Sequence, residues 1–215
     1  MNKYKIGVLR VLTTDDQKAL NLHGRLLEKY FPQFRTETRC IPEQYDGIYD
    51  EQTLKLAEPK IIRLATAWAG SIDGLIISCA GDPAVAQLKK MLSIPVTGAG
   101  TATAAYSLNF GDKIGIIGIE EKAPANYNCI LGDKAVNYIR PEGVNTTKDL
   151  QTRQGQQAVI KAGMQLKEQG AQAIALACTG MSTAGIAALL QEKISIPVVD
   201  PVLAEGIVML GKVVC

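Results

Sequence analysis

Two cysteines occupy matching places in an internally repeated chain: Cys79, in Leu75-Ile-Ile-Ser-Cys-Ala-Gly-Asp-Pro83, and Cys178, in Ile174-Ala-Leu-Ala-Cys-Thr-Gly-Met181. Each ends an apolar run of the kind that forms a buried parallel strand, and each is followed by small residues that open a helix. Chemistry in α/β sheets takes place beyond the carboxyl ends of the strands. If the two halves face each other, the repeat delivers two thiols to opposite walls of one cleft. A thiol serves both as acid and as base, because its free pKa is about 8.5 and falls near helix amino termini. Two thiols flanking one carbon therefore suit removal of a proton beside a carbonyl and its return to the opposite face. Backbone N–H groups at the helix starts would hold the oxygen of the enolate-like intermediate.

Taken singly, a cysteine at a strand end is usually a small buried hydrophobe. The recurrence beside glycine and a hydroxyl or carboxylate residue is what points to chemistry, although duplication copies a structural cysteine too. Cys40, Cys129 and Cys215 lack such surroundings and are read as structural. The count of five is odd and no Cys-x-x-Cys occurs, which argues against a disulfide framework or a zinc knuckle. His23 is the only histidine, and this removes most metal-site and Ser-His or Cys-His designs. In Asn21-Leu-His-Gly24 it reads as a satisfied helix-face residue.

The elements that must position the two thiols follow a β-α alternation. Tyr4–Arg10 reads as a strand, and Thr14 or Asp15 as the cap of a helix running to about Tyr30. Residues 36–41 form a second strand. Residues 51–69 form a helix with Leu54, Ala57, Ile61, Ile62 and Ala65 on one face and a kink or break at Pro59. Residues 73–78 are the third strand, and Asp82-Pro83 reads as an N-cap with proline at the first helical position. Ser93-Ile-Pro-Val96 is a fourth strand and residues 101–109 a helix. The second half repeats this order: Lys113-Ile-Gly115 echoes Lys5-Ile-Gly7, residues 150–169 the long helix, residues 171–177 the third strand, Ser195-Ile-Pro-Val198 the fourth, and residues 203–212 a last helix. Strands alternating with helices imply parallel sheets. The expected fold is α/β, with two similar parallel-sheet α/β lobes related by internal duplication and the active site in the cleft between them. The first lobe takes residues 1–97 plus about 200–215, and the second takes residues 98–199.

At 215 residues and 47% hydrophobic, the chain can bury a sizeable core. The net charge of +2 comes from interleaved acids and bases, with no basic stripe for nucleic acid and no polybasic tail. No run reaches the roughly 18 apolar residues of a membrane span, and the stretch before Arg10 is too short for a signal segment. The simplest reading is a cytoplasmic protein whose partner is a small-molecule substrate, with neither nucleic acid nor membrane; a homo-oligomer is compatible with this. No metal and no cofactor are expected. Gly98-x-Gly100 lacks the third glycine and the acidic residue of a dinucleotide site, and no lysine stands in a context demanding a pyridoxal Schiff base.

The paired cysteine segments, the Ser-Ile-Pro-Val that follows each, and Gly98-Ala-Gly-Thr-Ala102 resemble the aspartate/glutamate racemase superfamily over essentially the whole chain. Within it the chain is most similar to the hydantoin racemase branch. That resemblance implies cofactor-independent two-base racemisation with Cys79 and Cys178 as acid and base. It further implies substrate contacts from Thr101 and Thr179, and from the backbone at Ala80, Gly81, Gly100 and Gly180, since hydantoin-type members bind a cyclic ureide largely through backbone groups. Aspartate and glutamate racemases typically show Cys-Asn-Thr at the first site and often Cys-Thr-His at the second, whereas this chain has Cys79-Ala-Gly-Asp82 and Cys178-Thr-Gly-Met181. Many hydantoin racemases carry Asn-Pro-Asn after the first strand; this chain has Arg10-Val-Leu-Thr-Thr14, and Arg10 is read as a substrate contact for a carboxylate or carbonyl. An amino-acid racemase using the same thiols, and a two-lobed binding protein without turnover, are the competing readings.

Overall fold

In Tyr4–Arg10, strand β1, the side chains of Ile6, Val8 and Leu9 are all buried, as expected of a strand covered on both faces. Gly7 keeps the strand close to its helix: a Cβ there would lie 2.6 Å from Ile72 Cδ1 and 3.3 Å from the Trp68 ring, so both side chains would have to shift. The computed structural model describes residues 3–215; Met1 and Asn2, where the stretch expected to lack a signal segment begins, lie outside them.

After β1 the chain forms α1 (Gln17–Leu20) and α2 (Leu22–Tyr30) instead of one helix, and Asp16 is the cap rather than Thr14 or Asp15. The break at Asn21 has a side-chain cause. Arg10 Nη1 donates to the carbonyls of Ala19 at 3.1 Å and Leu20 at 3.3 Å, and so terminates α1. β2 (Phe34–Cys40) is followed by α3 (Glu51–Trp68), which a capping box between Asp50 and Thr53 starts. Pro59 neither kinks α3 out of existence nor splits it, because Pro59 and Lys55 face solvent, where water can take over the carbonyl that proline leaves unbonded. Then come β3 (Gly74–Ile77), α4 (Val85–Met91), β4 (Val96–Gly98) and α5 (Ala99–Ser107).

The second round is β5 (Ile114–Ile117), α6 (Ala125–Leu131), β6 (Ala135–Ile139), α7 (Arg153–Glu168), β7 (Ala173–Leu176), α8 (Gly180–Thr183), α9 (Ile186–Ile194), β8 (Val198–Val199) and α10 (Pro201–Val214). Both Ser-Ile-Pro-Val segments enter their sheets later than expected. Pro95 and Pro197 lack an N–H to donate, but their carbonyls accept from Leu75 and Ile174, and the strands themselves begin at Val96 and Val198.

All pairings are parallel, in the orders β2-β1-β3-β4 and β6-β5-β7-β8. The registers repeat as well: Ile6 lies opposite Gly74 in the first sheet and Ile114 opposite Ala173 in the second. The architecture is therefore α/β, two parallel four-stranded sheets of the same topology. By contacts the chain divides into one unit of residues 1–99 with 205–215 and another of residues 100–204. The first core gathers Leu9, Ile41, Ile61, Trp68, Ile77 and Leu88; the second gathers Ile117, Val159, Leu166, Leu176, Met181 and Leu190. Truncating such a wholly buried aliphatic to alanine costs about 2–5 kcal/mol.

Candidate active site

In each sheet the strand order reverses direction between its two central strands, and ligands of open α/β sheets bind outside the carboxyl ends at such a point. In the first unit the reversal lies between β1 and β3. Arg10 ends β1, and Ser78-Cys79 follows β3. Ser78 N–H donates to Leu9 O at 3.0 Å, which keeps the two strands paired up to the cysteine. Cys79 N–H then turns back on Ile77 O at 2.9 Å, and Asp82 N–H closes a turn on Cys79 O at 3.1 Å. Cys79 is half-buried, Ala80 buried and Gly81 exposed, and a Cβ added to Gly81 would stand 3.9 Å from the Cys79 sulfur.

Asp82 does not cap α4. It has φ +52°, Ala84 follows at φ +59°, and α4 starts only at Val85 with Ala84 as N-cap and no side-chain capping bond. The Asp82 carboxylate instead lies over Gly98, where a Cβ would collide with Oδ1. Cys79 thus opens a turn, not a helix, and the expected helix N–H groups do not directly follow it.

Behind Cys79 lies a polar chain that the sequence does not announce. His23 Nδ1 stands 2.8 Å from Ser78 Oγ, and Ser78 Oγ donates to Glu205 Oε1 at 2.8 Å; all three residues are buried. His23 is not a simple helix-face residue: it is fully enclosed, and its Nε2 has no hydrogen-bond partner. Burial, and secondarily the Arg10 charge, hold its imidazole well below the usual histidine range.

The second unit repeats the frame with different furniture. Ala177 N–H donates to Ile117 O at 2.7 Å, as Ser78 does to Leu9, and Cys178 follows, half-buried. Thr179 is the N-cap of α8 and Gly180 its first residue. Met181 N–H bonds Cys178 O at 3.0 Å, and a Cβ on Gly180 would strike Thr147 and lie 3.5 Å from the Cys178 sulfur. The residue just after β5 is Gly118, the counterpart of Arg10, and Tyr138 fills the space it leaves: a Cβ there would come 2.6 Å from the phenolic oxygen. Tyr138 Oη donates to Glu120 O at 2.6 Å. Burial first, then the charges of Glu120 and Cys178, push this phenol far above its ordinary range. Farther on, Ser182 Oγ donates to Asp200 Oδ1 at 2.7 Å, and the same oxygen accepts from Val202 and Leu203 N–H to cap α10. Gly100, buried, and Thr101, half-buried, sit in the first turn of α5, where Thr101 is the third residue and not the cap.

The structure therefore gathers Arg10, Cys79, Ala80 and Gly81 at the carboxyl rim of one sheet, and Cys178, Thr179 and Gly180 at that of the other. Sequence reasoning missed Tyr138, Ser78 and Glu205. Tyr138 had no local signal, because its strand β6 presents no buried apolar run.

Two parallel sheets of one topology, each followed by a cysteine at its switch point, define a duplicated α/β enzyme scaffold. A sequence profile of the Asp/Glu/hydantoin racemase family matches residues 21–205, and the chain belongs to that family. It is 26% identical over 150 residues to a hydantoin racemase of Paenarthrobacter aurescens; the match covers 65% of this chain and 63% of that protein, so the chain spans under two thirds of that relative. Among solved structures, allantoin racemase from Klebsiella pneumoniae superposes with TM-score 0.84 at 20% identity, covering 99% of this chain and 88% of that one. Allantoin racemase from Pseudomonas fluorescens gives 0.82 at 19% identity, covering 96% and 89%. These two share the fold. Among the described residues no helix is long and apolar enough to cross a membrane.

Proposed function

We propose that the protein racemises 5-substituted hydantoins or related cyclic ureides such as allantoin, with Cys79 and Cys178 as the two acid–base groups. One cysteine, as thiolate, takes the proton from the carbon beside the ring carbonyl, and the electron pair moves onto the carbonyl oxygen. The other, as thiol, returns a proton to the opposite face, so each turnover exchanges the protonation states of the two sulfurs and leaves the proton count unchanged. Nothing is oxidised, and no cofactor is needed. Arg10 and the backbone at Ala80, Gly81, Gly100 and Gly180, with the Thr101 and Thr179 hydroxyls, are the proposed substrate contacts.

The observation that carries this reading is the recurrence of a half-buried cysteine at the switch point of each sheet, in a chain of a racemase family. An amino-acid substrate is less well supported, because Cys79-Ala-Gly-Asp82 and Cys178-Thr-Gly-Met181 lack the Asn-Thr donors and the histidine typical of aspartate and glutamate racemases.

The test is to incubate the protein with enantiopure 5-substituted hydantoins, with allantoin, and with L-aspartate and L-glutamate in deuterated buffer, following optical rotation and α-proton loss against a blank. Cys79→Ala and Cys178→Ala should each abolish racemisation while each still exchanges the α-hydrogen of one enantiomer, with opposite preference. Full racemisation by either single variant would end the two-base account.

A further inference from the structure

Three polar residues from three elements meet inside the first unit: His23 of α2, Ser78 at the end of β3 and Glu205 of α10. Space filling does not require them, since apolar side chains of similar volume would fit such a place at lower desolvation cost. Hydrogen bonds supply what apolar contacts lack, a direction.

The direction follows from the Ser78 hydroxyl donating to Glu205. The single Ser78 hydroxyl proton goes to Glu205, so the His23 contact must be an Nδ1–H donated to Ser78 Oγ. His23 Nε2 then carries a lone pair, and an unbonded buried acceptor is the milder deficiency. The reverse arrangement would bury an unbonded Nε2–H donor. Nδ1–H to Oγ–H to carboxylate is thus a one-way chain, and it fixes the rotamer of Ser78. Ser78 is buried at 2% exposure while Cys79 is half-open. Ser78 is the central residue of the turn that Cys79 N–H closes on Ile77 O at 2.9 Å. Clamping Ser78 from behind therefore orients the peptide from which the Cys79 side chain emerges.

We propose that His23, Ser78 and Glu205 are positioning residues that aim the Cys79 thiol, with no direct part in proton transfer. This rests on Cys79 acting as the base for one enantiomer. A counterpart chain does not follow Cys178 in the same form: the residue before it is Ala177, which has no hydroxyl to clamp.

The experiment measures alkylation of Cys79 and Cys178 separately, by peptide mass spectrometry after timed iodoacetamide exposure. The proteins are the wild type, Ser78→Ala, Ser78→Thr and His23→Leu. Ser78→Ala and His23→Leu should each change the Cys79-to-Cys178 rate ratio about tenfold or more, since misplacing a reacting group by about 1 Å shifts a rate by up to about 10²-fold. Ser78→Thr keeps the hydroxyl and should restore the wild-type ratio to within about twofold. His23→Leu fills the site with an apolar side chain, so it keeps the question open to refutation if Ser78→Ala does not fold. A wild-type ratio in a folded Ser78→Ala or His23→Leu protein, or equal changes at both cysteines, overturns the proposal. In deuterated buffer, Ser78→Ala should lose exchange without inversion only for the enantiomer that Cys79→Ala fails to exchange; equal loss for both enantiomers also overturns it. If the wild type exchanges no hydantoin or allantoin, the functional reading fails, and the alkylation ratio still decides the positioning role.

Discussion

His23 makes the stability of the fold depend on pH in a range where nothing else in the chain ordinarily titrates. It is the only histidine, it is wholly buried, and burial with the nearby Arg10 charge keeps it neutral well below the usual value of 6.5. As pH falls through 6.5 the unfolded chain takes up a proton at this residue while the folded chain does not, so the unfolded state is favoured. Stability is therefore complete above 6.5 and declines as pH drops toward the depressed folded-state value, with a limiting slope of about 1.4 kcal/mol per pH unit. Each pH unit below 6.5, down to the depressed folded-state value, therefore removes up to that amount from a typical fold's roughly 5–15 kcal/mol. Urea unfolding at half-unit pH steps measures it directly, with His23→Leu as the control that should abolish the slope. A flat profile in the wild type, or an equal slope in His23→Leu, would refute the reasoning.

Gly98→Ala should destabilise by about 1–3 kcal/mol, because its Cβ would meet the Asp82 carboxylate and come within 2.9 Å of Val85 Cγ2; Gly211→Ala, with nothing within 4 Å on α10, should stabilise by about 1 kcal/mol. Thermal melts of the two variants should move in opposite directions. Burial raises the Asp200 carboxyl above 3.8, so its proton is held more tightly in the folded state than in the unfolded one. The wild type should accordingly lose ground to Asp200→Asn as pH rises from 3.8 through the folded-state value, and parallel urea midpoints for the two proteins would exclude this. Tyr138→Phe should cost about 1 kcal/mol through the lost bond to Glu120 O, and should leave the alkaline limb of the activity profile in place, since the phenol stays protonated there.

What could be read from the chain, and what could not, follows from whether the deciding interaction is local. β3 and β7 are legible because all four residues of each are buried on both faces, which leaves an uninterrupted apolar run. β6 is not, because Ala135–Ile139 is half-buried and partly exposed and presents no such run. The division of the first helix at Asn21 is decided by Arg10 on the preceding strand, and the start of α4 by two left-handed residues whose types, Asp and Ala, do not announce that conformation. The cysteine positions stood out through repetition alone. The chain behind Cys79 did not, since its members lie 55 and 127 positions apart and only the folded unit brings them together.

The discontinuity of the first unit sets an order on how the molecule can be made. During synthesis, residues 1–99 emerge first, yet Glu205 follows Ser78 by 127 positions. At ribosomal speeds that delay is roughly ten seconds. Over that interval residues 100–204, a contiguous unit, are made, while the earlier-made sheet waits with Leu27 and Phe31 lacking the Gly206 backbone that packs against them. The portion translated first thus depends on residues made only after the whole of the second unit, and removing residues 205–215 would undo the first-made unit rather than the second.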